Sequence, residues 1–387
     1  MKKSIYLMLA IMPLLIQCAQ HVVRGAIPLG KEKLLKQYLK RDIDINHQDP
    51  FGVTILMLAA SRGRLDMVTE ILQYKPDLEK VNEFGESALY IASCRGQDDI
   101  VSKLIEANAN IEAKTNELKS PLNCAAVMNQ HTTIRLLVRN KANMNSRDKS
   151  GLTPLMAAVN NGKLLAVREL ISSSADKDLK SNFEWSALTL AIDRNREDIV
   201  LELVNEKANL EIRDKYERTP LMDAAKKGNL LILQILIKAK ANIHALSSSK
   251  QTPLVYATLS KNLKAVEMLV AAGAEIDHRN TLGKTAVMLA CENSLSEIVE
   301  YFISMKANLN LRDRLGRTPL MFAVMSQNSS IVRKLLESKV EINATDRNKM
   351  TALAYARKSK NIEIISLLES AGAKEFRESE ALIRIHD

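Results

Sequence analysis

The side chains able to do chemistry are scattered along this chain, and their spacing limits what they can do. Six histidines, His21, His47, His131, His244, His278 and His386, are spread over 387 residues. None is paired at metal-ligand spacing and no His-Glu-x-x-His occurs, so no metal site is expected. Gly283-Lys284-Thr285 has the form of the end of a phosphate-binding loop. That loop needs a glycine five residues before Gly283, where His278 stands instead. Asp66, Asp99, Asp198, Glu297 and Glu363 recur singly, never as a carboxylate pair placed for acid–base work. With no nucleophile elbow or dinucleotide loop either, no catalytic residue and no cofactor is expected.

What these residues share is a position. A Ser/Thr-x-Leu or Val triplet starts at Thr54, Ser87, Ser120, Thr153, Ser186, Thr219, Thr252, Thr285, Thr318 and Thr351, always 33 residues apart. Counting from each start, plus five is always alanine, from Ala59 to Ala356. The recurrent acids fall at plus twelve, and Gly283-Lys284 at minus two and minus one. A period this strict marks a repeat array, in which each unit buries its surface against its neighbours.

The unit around Thr153 shows the design. Thr153 caps a helix through its hydroxyl, and Pro154 suits the first helical position, where no amide donor is needed. Leu155, Ala158 and Val159 form one apolar stripe, Gly162 breaks the helix, and Leu164 to Ile171 forms a second helix with Val167, Leu170 and Ile171 inward. Alanine at plus five lets the two helices pack closely. The recurrent acids fall in the first turn of the second helix, where they favour the helix dipole. The residue at minus five is always Asp, Asn, Ser or Thr, a type that bonds its own backbone in tight turns. Gly52, Gly85, Gly151, Gly283 and Gly316 at minus two supply positive φ.

The net charge of +10 and pI near 9.3 invite a nucleic-acid reading. Its placement argues against one. Lys75, Lys141, Lys207, Lys240, Lys306 and Lys339 all stand at plus 21, where the second helix ends and a cation meets the negative end of its dipole. No arginine-rich run or aromatic-basic stacking motif accompanies them. Nucleic acid is therefore not an expected partner, and the remaining positive field suits an acidic protein.

The pattern resembles the ankyrin repeat, with its Asp-x-x-Gly-x-Thr-Pro-Leu-His-x-Ala-Ala signature. Thr153-Pro154-Leu155, Thr219-Pro220-Leu221, Thr252-Pro253-Leu254 and Thr318-Pro319-Leu320 match its central triplet, and the resemblance covers about residues 21 to 373. The usual His is replaced by Met57, Met156, Met222, Met288, Met321 or another residue, and the usual Gly after the second helix survives only as Gly273 and Gly372. A lysine in that left-handed position costs about 1 kcal/mol, so these ends are expected to be either strained or capped differently. The resemblance implies an all-α solenoid of helix-turn-helix units joined by β-hairpin-like turns, with a concave groove. It also implies a non-enzymatic scaffold that binds a protein partner.

The expected organisation is a signal peptide over 1–20, an N-terminal capping unit over 21–48, ten repeats over 49–373 of which the last is a C-terminal cap, and a charged tail over 374–387. Gly30 marks the helix break of the capping unit, and Leu34, Leu35 and Leu39 its second helix. Lys2 and Lys3 followed by an apolar run from Ile5 to Ile16 describe a secretory signal, too short to span a bilayer. Leu15-Ile16-Gln17-Cys18 resembles a lipobox, with Gln17 departing from it. Two endings fit: lipidation of Cys18, or ordinary cleavage after Cys18 or Ala19. The expected location is therefore the periplasm or cell envelope of a bacterium, with a lipid anchor as the sole membrane contact, or release. The alternative function is a secreted effector that tethers or masks a host protein. Beyond Cys18, Cys94, Cys124 and Cys291 stand at plus seven, plus four and plus six. Those mismatched offsets predict buried free thiols, because a disulfide needs its α-carbons within about 7 Å.

In ankyrin arrays the groove is lined by minus four, minus three, minus one, plus seven and plus eight. In the fifth and sixth units these are Asn182, Phe183, Trp185, Asp193 and Arg194, then Lys215, Tyr216, Arg218, Lys226 and Lys227. Trp185 is the chain's single tryptophan, and Trp, Tyr and Arg dominate binding energy at interfaces. Phe183, Trp185, Arg194, Tyr216, Arg218, Lys226 and Lys227 are therefore the expected partner-binding residues of a monomer. The competing reading is that tip aromatics merely pack along the neighbouring turn, since Phe51, Phe84, Leu282 and Leu315 hold the same offset.

Overall fold

A computed structural model describes residues 25, 27, 32–40 and 44–374. Cys18, Gly30, the N-terminal segment and the tail beyond Lys374 lie outside these residues. The described chain divides into two units, one ending at Glu206 and one starting at Lys207. Every regular element is helical, as an all-α class requires, and there is no strand among the described residues.

The first unit starts with α1 (Glu32–Leu39), followed by five helix pairs. These are α2 (Ile55–Ser61) with α3 (Leu65–Leu72), and α4 (Ala88–Arg95) with α5 (Asp98–Glu106). Next come α6 (Pro121–Val127) with α7 (His131–Arg139), α8 (Pro154–Asn160) with α9 (Leu164–Ser172), and α10 (Ala187–Asp193) with α11 (Glu197–Asn205). In the second unit α12 (Pro220–Lys227) pairs with α13 (Leu230–Lys238), α14 (Pro253–Leu259) with α15 (Leu263–Ala271), and α16 (Ala286–Glu292) with α17 (Ser296–Ser304). The remaining pairs are α18 (Pro319–Met325) with α19 (Ser329–Leu336), and α20 (Ala352–Ser359) with α21 (Ile362–Ser370).

Each first helix begins at its triplet because the Ser or Thr side chain caps it. Thr153 Oγ1 accepts from Met156 N at 3.3 Å, and Ser186 Oγ from Thr189 N at 3.2 Å. The expected acids Asp66, Asp99, Asp198, Glu297 and Glu363 all stand in first turns of second helices. All ten plus-five alanines, from Ala59 to Ala356, are fully buried. Leu155, Ala158, Val167 and Leu170 form the core around α8 and α9, each at most 1% exposed. In the capping unit Leu39 is buried, as is Ile27.

Each repeat crosses into the left-handed region at minus two and plus nine, and nearly always at plus 21. Lys75, Lys141, Lys207, Lys240 and Lys306 hold φ between 50° and 67°, the strained one of the two expected forms. Lys339 escapes it. Glycine at minus two is also a packing requirement: a Cβ on Gly85 would lie 2.6 Å from Asn116 N.

The turns between pairs are single hydrogen-bonded loops, not strands. Within one turn, Asp148 N donates to Leu152 O at 3.1 Å. Successive turns are then joined through their backbones. In the first unit Glu83 N donates to Phe51 O and Asn116 N to Phe84 O, both at 3.0 Å. In the second, Arg314 N donates to Leu282 O and Arg347 N to Leu315 O, both at 2.9 Å.

One expectation about the cysteines fails. Cys94 and Cys124 form a disulfide, their α-carbons 5.0 Å apart and 30 residues separated in sequence. Neighbouring first helices α4 and α6 lie side by side, so equal offsets face each other one period apart. A separation three residues short of the period is one helical turn, which keeps both residues on the facing sides. Plus seven on one helix therefore meets plus four on the next. Cys291 is the buried free thiol expected of it, and burial pushes its pKa up.

Candidate functional site

The residue at minus five shapes every tip. Asp49 Oδ1 accepts from Phe51 N at 2.9 Å and Val53 N at 2.8 Å. Ser181 Oγ does the same for Phe183 N and Trp185 N, both at 3.3 Å. Because the turn closes on this oxygen, the minus-three side chain points out. In the first unit Phe51, Phe84 and Phe183 are 61%, 62% and 63% exposed. In the second, Tyr216, Leu282 and Leu315 are 52%, 57% and 49% exposed. The tip rings do not bury themselves along the neighbouring turn.

The expected partner-binding residues fall into two groups, one in each unit. In the first, the rings of Phe183 and half-buried Trp185 lie 6.1 Å apart at 44°. Arg194 caps the end of α10 and is exposed, its Nε donating to Asn160 Oδ1 at 2.9 Å. In the second, Lys215 Nζ lies 5.0 Å from the Tyr216 ring centroid and the Arg218 guanidinium 5.3 Å from it, a cation–π arrangement. Lys226 and Lys227 stand exposed in the last turn of α12.

Arg218 is turned inward. Its Nε and Nη2 donate to Asp214 Oδ2 at 2.8 and 2.6 Å, and Asp223 lies 3.5 Å from Nη1. Burial opposes ionisation of Asp214, but these bonds and those from the Arg218 and Tyr216 amides hold its carboxyl below the usual range. Arg317 makes the same clamp on Asp313, at 2.9 and 2.7 Å. This arginine braces a turn.

Sequence reasoning missed a second polar group in the same unit. Lys284 Nζ donates to both carboxylate oxygens of Glu292 at 2.7 Å and sits 4.9 Å from the Phe322 ring, with the Arg317 guanidinium 4.6 Å from that ring. The lysine of the phosphate-loop lookalike is thus held by a carboxylate. The signal was a cation at minus one with an acid at plus seven of one repeat. Nearby, Tyr355 OH donates to Asp346 Oδ2 at 2.6 Å.

On the second helices of the first unit, an open depression of about 290 Å³ is lined by His131, Leu165, Arg168, Glu169, Ser172 and Glu202 among others. Two of its carboxylates are already paired: Arg168 Nε lies 2.9 Å from Glu202, and Arg135 Nη2 lies 2.6 Å from Glu169. Hydrogen bonding from Arg135, against some burial, holds the Glu169 carboxyl low. Among the described residues no three His, Cys, Asp or Glu side chains cluster as metal ligands.

No curated protein matches the sequence. Among solved structures, the crystal structure of the ankyrin repeat domain of Bcl-3, described as a unique member of the IkappaB protein family, is similar at 25% identity and a TM-score of 0.53. The match covers 56% of this chain and 99% of that one. The pattern described as Ankyrin repeats (3 copies) matches in overlapping windows from residues 23–115 to residues 287–378. The chain belongs to the ankyrin repeat family.

Proposed function

We propose that this chain is an exported, non-catalytic scaffold whose array of ten repeats over 49–373 binds an acidic protein through its turn tips and first helices. The observation that carries the reading is the set of outward apolar side chains at minus three, Phe51, Phe84 and Phe183 in the first unit and Tyr216, Leu282 and Leu315 in the second, on turns that within each unit are joined by backbone hydrogen bonds. Aromatic side chains held outward at fixed positions are of the kind that anchor interfaces. In the second unit Lys215, Arg314 and Arg347 stand at the neighbouring minus-four position, which suits a partner that alternates acidic and apolar residues. Phe183 and Trp185 supply contacts in the first unit and Tyr216, Lys226 and Lys227 in the second, where Arg218 holds its turn in shape.

Two observations support export. The N-terminal residues read as a secretory signal, with Cys18 or Ala19 at its end. The Cys94–Cys124 bond is of a kind that persists in oxidising compartments. Cell fractionation with and without globomycin decides between a lipid-anchored, a soluble periplasmic and a released form; a protein found only in the cytoplasm would overturn export. For binding, affinity capture with the full array is compared with a Phe183→Ala, Trp185→Ala variant and a Tyr216→Ala, Lys226→Ala variant. Loss of the same partner from either is expected. Equal recovery by all three would remove this surface from the reading.

A further inference from the structure

We propose that the Cys94–Cys124 bond is a redox-set staple that makes the second and third repeats one cooperative unit, so that the N-terminal repeats stay docked only when it is formed. In an array each repeat is stabilised by its neighbours, and a weak repeat lets everything outside it open separately. Among the described residues, the buried polar side-chain atoms without a partner lie in the two repeats that the bond joins. Asn123, 1% exposed, stands at plus three, where five other repeats carry methionine. Its Oδ1 accepts from Ser120 N at 3.1 Å and Ser120 Oγ at 2.8 Å, while its Nδ2 is buried without a partner. The other such atom among the described residues is Gln97 Oε1, in the second repeat. A buried polar atom without a partner favours the open state, where water satisfies it. The bond between α4 and α6 counters this by limiting how far the two repeats can separate on opening.

The chemistry is thiol–disulfide exchange. Cys94 is half-buried and Cys124 buried, so an incoming disulfide, that of a protein oxidase or a small molecule, meets Cys94 first. The Cys94 thiolate breaks that S–S bond, releasing one thiol and forming a mixed disulfide. The Cys124 thiolate then displaces the second thiol. The two cysteines lose two electrons and two protons, and the oxidant becomes two thiols.

The test is hydrogen exchange on the full chain, oxidised and then treated with a phosphine reductant, with non-reducing digestion to identify a linked peptide containing residues 94 and 124. On reduction, amides of α2 to α5 should exchange faster by on the order of tenfold or more, while those of α8 to α11 hold. Asn123→Met in a Cys94→Ser, Cys124→Ser chain should slow exchange back toward the oxidised rate. Absence of the linked peptide, or equal exchange before and after reduction, would overturn the staple. Failure of Asn123→Met to slow exchange would overturn the weak repeat as its reason.

Discussion

Arg218 and Asp214 close a turn around themselves: the guanidinium donates twice to Oδ2, while Oδ1 takes the amides of Arg218 and Tyr216, both at 2.9 Å. One carboxylate thus satisfies four donors while 5% of its side chain is exposed. Asp214→Ala leaves them without an acceptor and should cost about 1–3 kcal/mol. The pH dependence has a definite sign. Because the folded pKa lies below 3.8, the stabilisation is full above that value and is lost as pH falls through the folded pKa. Urea unfolding at neutral pH and in acid should show Asp214→Asn less stable at neutrality and less sensitive to acid.

Tyr355 and Tyr90 should titrate late. Burial, and for Tyr355 the hydrogen bond to Asp346, pushes the Tyr355 phenol to about 12; burial and the nearby Glu86 do the same for Tyr90. Both raised values favour the folded state below pH 10, and that contribution fades between pH 10 and about 12. Ultraviolet titration of the folded protein should show a late step that Tyr355→Phe reduces. A phenol lost at pH 10 with the fold intact would contradict the buried geometry.

How legible this was in sequence depends on how far each feature reaches. Thr153, Pro154 and Gly162 announce their helix through local rules, and the period repeats that announcement ten times. The clamp was also legible as Asp-x-x-x-Arg before two triplets, Asp214 to Arg218 and Asp313 to Arg317, although the minus-one offset and the residue type made Arg218 look like a docking residue. The Cys94–Cys124 bond was not legible from equal offsets, because it depends on lateral contact between helices displaced by one turn. Lys284 and Glu292 are eight residues apart, and only a folded turn and helix bring them together.

The left-handed lysines give a test with an internal control. Lys240 and Lys306 hold φ at 65° and 59°, where a side chain crowds the backbone. Lys240→Gly or Lys306→Gly should stabilise by about 0.5–1 kcal/mol, less strain being partly offset by the freedom glycine gains when unfolded. Lys339→Gly, at the same offset without positive φ, should give no gain. Equal effects at all three positions would show that lost charge, not backbone strain, is responsible.

The plus-five alanine tests the packing that the whole array depends on. Ala158 is fully buried between α8 and its neighbours, and each of its nine counterparts is too. A larger side chain there must push helices apart, whereas a polar surface change would not. Ala158→Leu should therefore destabilise by about 1–3 kcal/mol despite adding apolar surface. Arg168→Leu, at an exposed position on α9, should cost far less because its ion pair with Glu202 is solvated. Urea midpoints of the two variants separate these outcomes: if Ala158→Leu matches the wild type, the helix pair has room to spare and close packing is not why alanine recurs.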